Sequence, residues 1–128
     1  MKCITLKQPY ASLVAKKYKL IEFRSWKTSY RGEIYIHAGK SIDKKNIKRF
    51  EYLNLDYPQG VIIAKAKIKD CIEITEEVKE ELKKIDPIVY KGAIEHTGKN
   101  EYGFVLEDIE EITPIIAKGQ LGLWNYNE

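Results

Sequence analysis

At 128 residues, 44% hydrophobic and 32% charged with a mean hydropathy of −0.42, the chain fits one domain, residues 1–128, with a single buried core, and excludes a disordered tail. Its longest apolar run, Val61 to Ala64, is far short of the roughly 20 residues that span a bilayer, and no apolar signal core opens it, so a cytoplasmic protein without a membrane partner is expected. A net charge of +3 with only two cysteines and two histidines excludes a disulfide framework or a zinc-spaced cluster, so no metal or cofactor is expected, and Cys3 and Cys71 should be reduced and buried.

Met1 to Lys7 alternates around Cys3, Ile4 and Leu6 and predicts a first strand. Pro9 suits the first position of a helix, where its missing N–H would have no partner, and Ala11, Leu13, Val14, Ala15 and Tyr18 supply an apolar stripe over roughly Pro9 to Lys17. From Leu20 to Trp26 a period of two puts Leu20, Glu22, Arg24 and Trp26 on one face and Ile21, Phe23 and Ser25 on the other. After a loop with Tyr30 and Gly32, a third strand at Glu33 to Ala38 sends Ile34, Ile36 and Ala38 one way and Tyr35 and His37 the other. Ser41 is placed to cap a helix that carries Ile47, Phe50 and Leu53 over a basic face and stops before Pro58.

The next segment, VIIAKAKIKDCIEI, alternates Ala64, Ala66 and Ile68 with Lys65, Lys67 and Lys69, a half-buried strand with an outward lysine row. That row fits phosphate contact, but solubilising a wet strand face is the commoner use. Thr75 opens a charged helix whose acids come first and bases last, in agreement with the helix dipole, and Pro87 follows its end. Val89 to Asn100, with His96 and two glycines, reads as a long loop or irregular edge. A strand resumes at Tyr102 and should break at Pro114, and a final apolar segment surrounds Leu121, Leu123, Trp124 and Tyr126. Six strands with two or three helices and no repeated βαβ unit predict an α+β domain on a mixed, curled sheet that closes into a small barrel.

Charge is uneven along the chain. Residues 1–49 hold thirteen Lys and Arg against three acids, whereas residues 50–128 hold nine against sixteen. Such asymmetry fits either a polyanion-binding surface or a fold whose two halves complement each other. The basic half contains KLIEFRSWKTSYRGEIYIHA, Lys19 to Ala38, which holds more polar chemistry than a core needs.

The opening ITLKQPYASLVAKKYKLIEFRSWKTSYRGEIYIHAGKSI resembles the ASCH domain of the PUA-like superfamily. Members of that family begin with a strand, a Gln-Pro-aromatic helix start, a Lys-x-x-Glu-x-Arg strand and an Arg-Gly-x-x-x-Ile-His-Ala strand. The likeness continues through the Gly-Val-Ile-Ile strand that ends near Asp70 and Cys71, the Tyr102 to Glu107 strand and the terminal Gly122, Leu123 and Trp124. It implies a PUA-like small mixed β-barrel with flanking helices. It also implies a cleft beside the Lys-x-x-Glu-x-Arg strand that binds RNA or a nucleotide-like ligand. By position the cleft would take Lys7, Gln8, Lys19, Glu22, Arg24, Ser25, Trp26, Arg31 and His37.

Each of these residues has an ordinary use beside the functional one. Glu22 and Arg24 fit a surface ion pair as well as a ligand contact. Arg31 fits bidentate phosphate binding, a carbonyl cap or a pair with Glu33. A lone His37 is more often structural than catalytic, and Trp26, Tyr10, Tyr30 and Tyr35 fit base stacking or the edge of a core. Trp124 reads as core. Lys19 beside a carboxylate fits phosphate binding or proton transfer. Some members of the family resemble amidohydrolases of acetylated cytidine that use a lysine, a threonine and a glutamate, and others are ribonucleases. Here Glu22 stands where the threonine would be, so a binding function is expected ahead of hydrolysis, with Lys19 and Glu22 as the catalytic pair only if the protein is an enzyme.

Overall fold

The computed structural model describes residues 1–98 and 101–127. In chain order it contains β1 (Lys2–Gln8), α1 (Tyr10–Ala15), β2 (Ile21–Arg24), β3 (Gly32–Ile42), a 3-10 helix (Ile47–Leu53), β4 (Val61–Glu73), α2 (Glu76–Ile85), α3 (Lys91–Glu95), β5 (Tyr102–Ile116) and β6 (Leu123–Asn125). The strands form one sheet in the order β2-β5-β4-β3-β1-β6, antiparallel except where β1 runs parallel to β3. The expected α+β architecture with flanking helices is therefore present. The sheet is barrel-like but not closed, because β2 and β6 remain its edges. Both edge strands are too short to complete a ladder: β2 meets β5 only over Tyr102–Val105, and β6 meets β1 only over Lys2–Ile4. Beyond Ile4, the Thr5 carbonyl accepts a 2.8 Å hydrogen bond from Arg24 of β2, so a side chain spans the seam that backbone pairing leaves open.

Alternation decides what each strand buries. In β4, Ala64, Ala66 and Ile68 are buried while Lys67 and Lys69 are exposed. They join Ile4, Leu6, Ile34, Ile36, Phe104 and Leu106 in the main core, where fully burying a large apolar side chain stabilises by about 1.5–3 kcal/mol. Helix α1 joins two cores, since Ala11 and Val14 pack into the sheet cluster while Leu13 packs with Phe50, Leu82, Val89 and Tyr90. A third cluster holds Cys3, Ile62 and Trp124, so Trp124 packs as core, as its neighbours indicate. The lysine row of β4 faces acids on β5: Lys65 lies opposite Glu110 and Lys67 opposite Glu107, with Lys67 Nζ 3.6 Å from Asp108. These β4–β5 contacts lie within the acidic part of the chain; among the described residues, the Lys16–Glu111 and Arg31–Asp70 pairs are the ones that join the basic first part to it.

Several boundaries differ from the sequence reading. Helix α1 stops at Ala15 because Lys17 adopts φ 68°, and the amides of Tyr18 and Lys19 both return to the Leu13 carbonyl. Ser41 caps no helix: pairing with β1 carries β3 on to Ile42, and Asp43 instead accepts the Asn46 amide at 3.1 Å before the 3-10 helix. Pro114 does not break β5, because it falls where three β5 residues oppose Ile63 alone, a bulge that needs no proline N–H. Val89 to Asn100 is not loop throughout: it includes α3, with Val89, Tyr90 and Ala93 buried, while Lys99 and Asn100 lie outside the described residues. Helix α2 is capped as expected by the Thr75 hydroxyl, which accepts from the Val78 amide at 3.2 Å.

Of the two free thiols, Cys3 is fully buried and Cys71 only half-buried, because the strand end that carries Cys71 rises out of the core. Burial pushes the Cys3 thiol up to about 12. Because the thiolate is the reactive form, iodoacetamide at pH 8 should label native Cys71 and spare Cys3 until the protein is denatured. Peptide mapping that found equal labelling of both in the native state would contradict this burial.

Candidate functional site

The turn after α1 delivers Lys19 to the start of β2, and alternation then sets Glu22 and Arg24 on one face. Lys19 is 4% and Glu22 8% exposed. Lys19 Nζ donates to Glu22 Oε1 at 2.9 Å and to the Ile21 carbonyl at 2.6 Å, and it lies over the Phe23 ring at 4.7 Å. Arg24 approaches the other carboxylate oxygen, with Nε and Nη2 at 3.1 and 3.0 Å from Glu22 Oε2. One buried carboxylate is thus held between two cations, each of which also donates to a backbone carbonyl.

Glu22 and Arg24 line a cavity of about 1110 Å³ between the β1–β2 seam, the end of β3 and the loop 117–122. Tyr10 and Trp26 contribute aromatic walls, and the exposed Lys7, Lys40 and Lys118 stand at its mouth. None of these three lysines forms an ion pair among the described residues. The Tyr10 hydroxyl donates to Asp43 Oδ2 at 2.6 Å. Burial, and after it the Asp43 carboxylate, pushes that phenol up to about 12, so it stays protonated. Burial alone would raise the Asp43 carboxyl, but hydrogen bonds from Asn46 and Tyr10 more than offset this and hold it below the usual carboxylate value.

The loop wall is anchored from beneath. His37 Nε2 is 2.7 Å from the Ala117 carbonyl, which can only accept, so Nε2 carries the proton. Nδ1 then accepts from the Thr5 hydroxyl at 3.1 Å, and Thr5 Oγ1 accepts from Trp124 Nε1 at 3.0 Å. Gly119 lies against this network, where an added Cβ would come within 3.0 Å of His37 Cε1 and Thr5 Oγ1.

Residues 4–113 match the ASCH domain family. The chain belongs to the ASCH family. This ASCH domain is 32% identical to Activating signal cointegrator 1 of Mus musculus and 31% identical to the Homo sapiens protein of that name, each over 55% of this chain and 14% of that protein. It therefore spans only a small part of those relatives' length. The crystal structure of ASCH from Zymomonas mobilis has a TM-score of 0.59 at 19% identity, covering 89% of this chain and 71% of that chain. A point mutant of the Zymomonas protein gives 0.60 at 18% identity, covering 89% and 73%. At this identity the likeness bears on the fold.

In this ASCH domain the cavity brings together Lys7, Glu22, Arg24, Ser25, Trp26 and His37. Ser25 and Phe23 join despite their opposite parity, so the cavity takes in both faces of this stretch. Lys19 stands behind Glu22 rather than at the cavity surface. Gln8 is fully buried and spent on the fold: its Nε2 donates to the Pro58 carbonyl at 2.7 Å and its Oε1 accepts from the Ser12 amide at 3.0 Å. Arg31 lies outside the cavity and donates to the carbonyls of Thr28 and Tyr30 at 3.0 and 2.9 Å, the carbonyl-capping use. His37 has both ring nitrogens engaged and is 1% exposed. Sequence reasoning missed Thr5, Lys40, Lys118 and Gly119. The AKGQLG run, with two glycines and a lysine ahead of the last strand, is the signal for the loop that holds two of them. Among the described residues no group of three or more metal-ligating side chains converges.

Removing the shared acid should be costly. Glu22→Ala leaves Lys19 buried and unpaired, so chemical denaturation should report a loss of about 3–5 kcal/mol. Glu22→Gln keeps the shape and one acceptor and should lose clearly less. Equal stability of Glu22→Ala and wild type would contradict a buried, shared carboxylate.

Proposed function

We propose that this ASCH domain binds single-stranded RNA, or a nucleotide-like ligand, in the cavity beside β2. The observation that supports this reading most is the polarity of the cavity: a carboxylate held from behind by Lys19 and from beside by Arg24, which lines the cavity with it, and three exposed lysines that form no ion pair among the described residues. A carboxylate with two charge partners still has lone pairs to accept the exocyclic amino group of cytosine or adenine. Tyr10 and Trp26 offer rings for base stacking, worth roughly 1–3 kcal/mol per base. Lys7, Lys40 and Lys118 sit where a backbone phosphate would leave the cavity.

Hydrolysis of acylated nucleosides, or RNA cleavage, would use the same cavity with Lys19 and Glu22 in proton transfer. Binding fits better, because Lys19 does not line the cavity and two of its protons are committed to Glu22 and the Ile21 carbonyl.

Counterion release makes the reading measurable. Each phosphate contact on a single strand contributes about 0.7 to the slope of log affinity against log salt. Lys7→Gln combined with Lys118→Gln should therefore weaken RNA binding and flatten that slope by up to about 1.4. Lys65→Gln with Lys67→Gln, on the row that faces β5 acids, should change neither. Fluorescence anisotropy at several salt concentrations checks both, and no RNA binding by wild type at low salt would overturn the proposal.

A further inference from the structure

A second depression, of about 600 Å³, adjoins the cavity and is lined by Lys2, Trp26, Thr28, Ser29, Tyr30, Gly122 and Leu123. Trp26 and Gly122 line both spaces, so the tryptophan is a wall reached from two sides. Its ring is fixed by an edge contact with Phe104, centroids 5.1 Å apart. The first cavity alone slightly exceeds the roughly 300–1,000 Å³ usual for a small ligand, and the second space adjoins it across Trp26 and Gly122. Its polar groups suit a sugar-phosphate backbone rather than another base edge. Lys2 is half-buried and makes no ion pair among the described residues. Thr28 Oγ1 accepts from the Tyr30 amide, which leaves its hydroxyl proton to donate, and Ser29 is exposed.

Resting on the RNA-binding reading, we propose that the site is a two-compartment track for an oligonucleotide. One base enters the Glu22 cavity, the strand passes Trp26, and the next nucleotide lies in the second depression with its phosphate on Lys2 and the Thr28 and Ser29 hydroxyls. The domain then recognises a stretch of single strand in preference to a free nucleotide.

Length dependence tests this directly. Calorimetric titration of the domain with CMP and AMP, and with the trimers CpCpC and ApApA, compares one compartment with two. Wild type should bind a trimer at least about tenfold tighter than its mononucleotide, a difference of about 1.4 kcal/mol. Lys2→Glu, at a residue that does not line the first cavity, should remove most of that advantage and leave mononucleotide binding in place. Thr28→Val serves as the milder second variant and should lower trimer affinity only. Equal affinity for monomer and trimer, or equal loss of both in Lys2→Glu, would overturn the track while leaving the single-cavity reading standing. No binding of either length at low salt would overturn both.

Discussion

A carboxylate out of water is costly unless its charge is answered, and Glu22 is answered twice. Lys19 and Arg24 take one oxygen each, and each also donates to a backbone carbonyl, of Ile21 and of Thr5 respectively. The carboxylate therefore has no freedom to turn, and the strand that carries it is pinned at both ends. Such an arrangement is weak as a source of net stability, because desolvation offsets much of the attraction. Its effect is to hold a carboxylate in a fixed place on the wall of a cavity.

The open seam of the sheet gives that cavity its room. The cavity lies where β1 beyond Ile4 and β2 have no backbone pairing with each other. Instead Arg24 spans the gap with one guanidinium, so the same side chain holds the acid, bridges to β1 and lines the cavity. On the opposite wall, the Thr5–His37–Trp124 network performs the equivalent service for the loop 117–122, and Gly119 allows the loop to lie close upon it.

Much of the fold is legible in the sequence because it depends on period two. The alternations at Ile34, Ile36 and Ala38 and at Ala64, Ala66 and Ile68 state which residues are buried, and they are. The closed barrel is not legible, since closure depends on how far two edge strands extend, and extension is set by tertiary pairing. Pro114 illustrates the same limit: its disruptive chemistry is local, but the β5 bulge that accommodates it exists only through the pairing of β5 with β4. At the site, the alternation places Glu22 beside Arg24. It cannot say that Lys19 folds behind them, that Gln8 is spent on the Pro58 carbonyl and the Ser12 amide, or that Arg31 is spent on the Thr28 and Tyr30 carbonyls. Lys118 and Lys40 reach the cavity from elements distant in sequence, and nothing in the pattern of either element points to the other.

Under the proposed RNA-binding function, Glu22, held by two cations, presents its carboxylate to a nucleobase. A crystal structure of the domain with a bound single-stranded oligoribonucleotide measures this most directly. The account predicts a base whose exocyclic amino group lies within hydrogen-bond distance of a Glu22 oxygen, with Trp26 or Tyr10 against a ring face. An oligonucleotide seated on the lysine row of β4, with the cavity beside β2 empty, would contradict it.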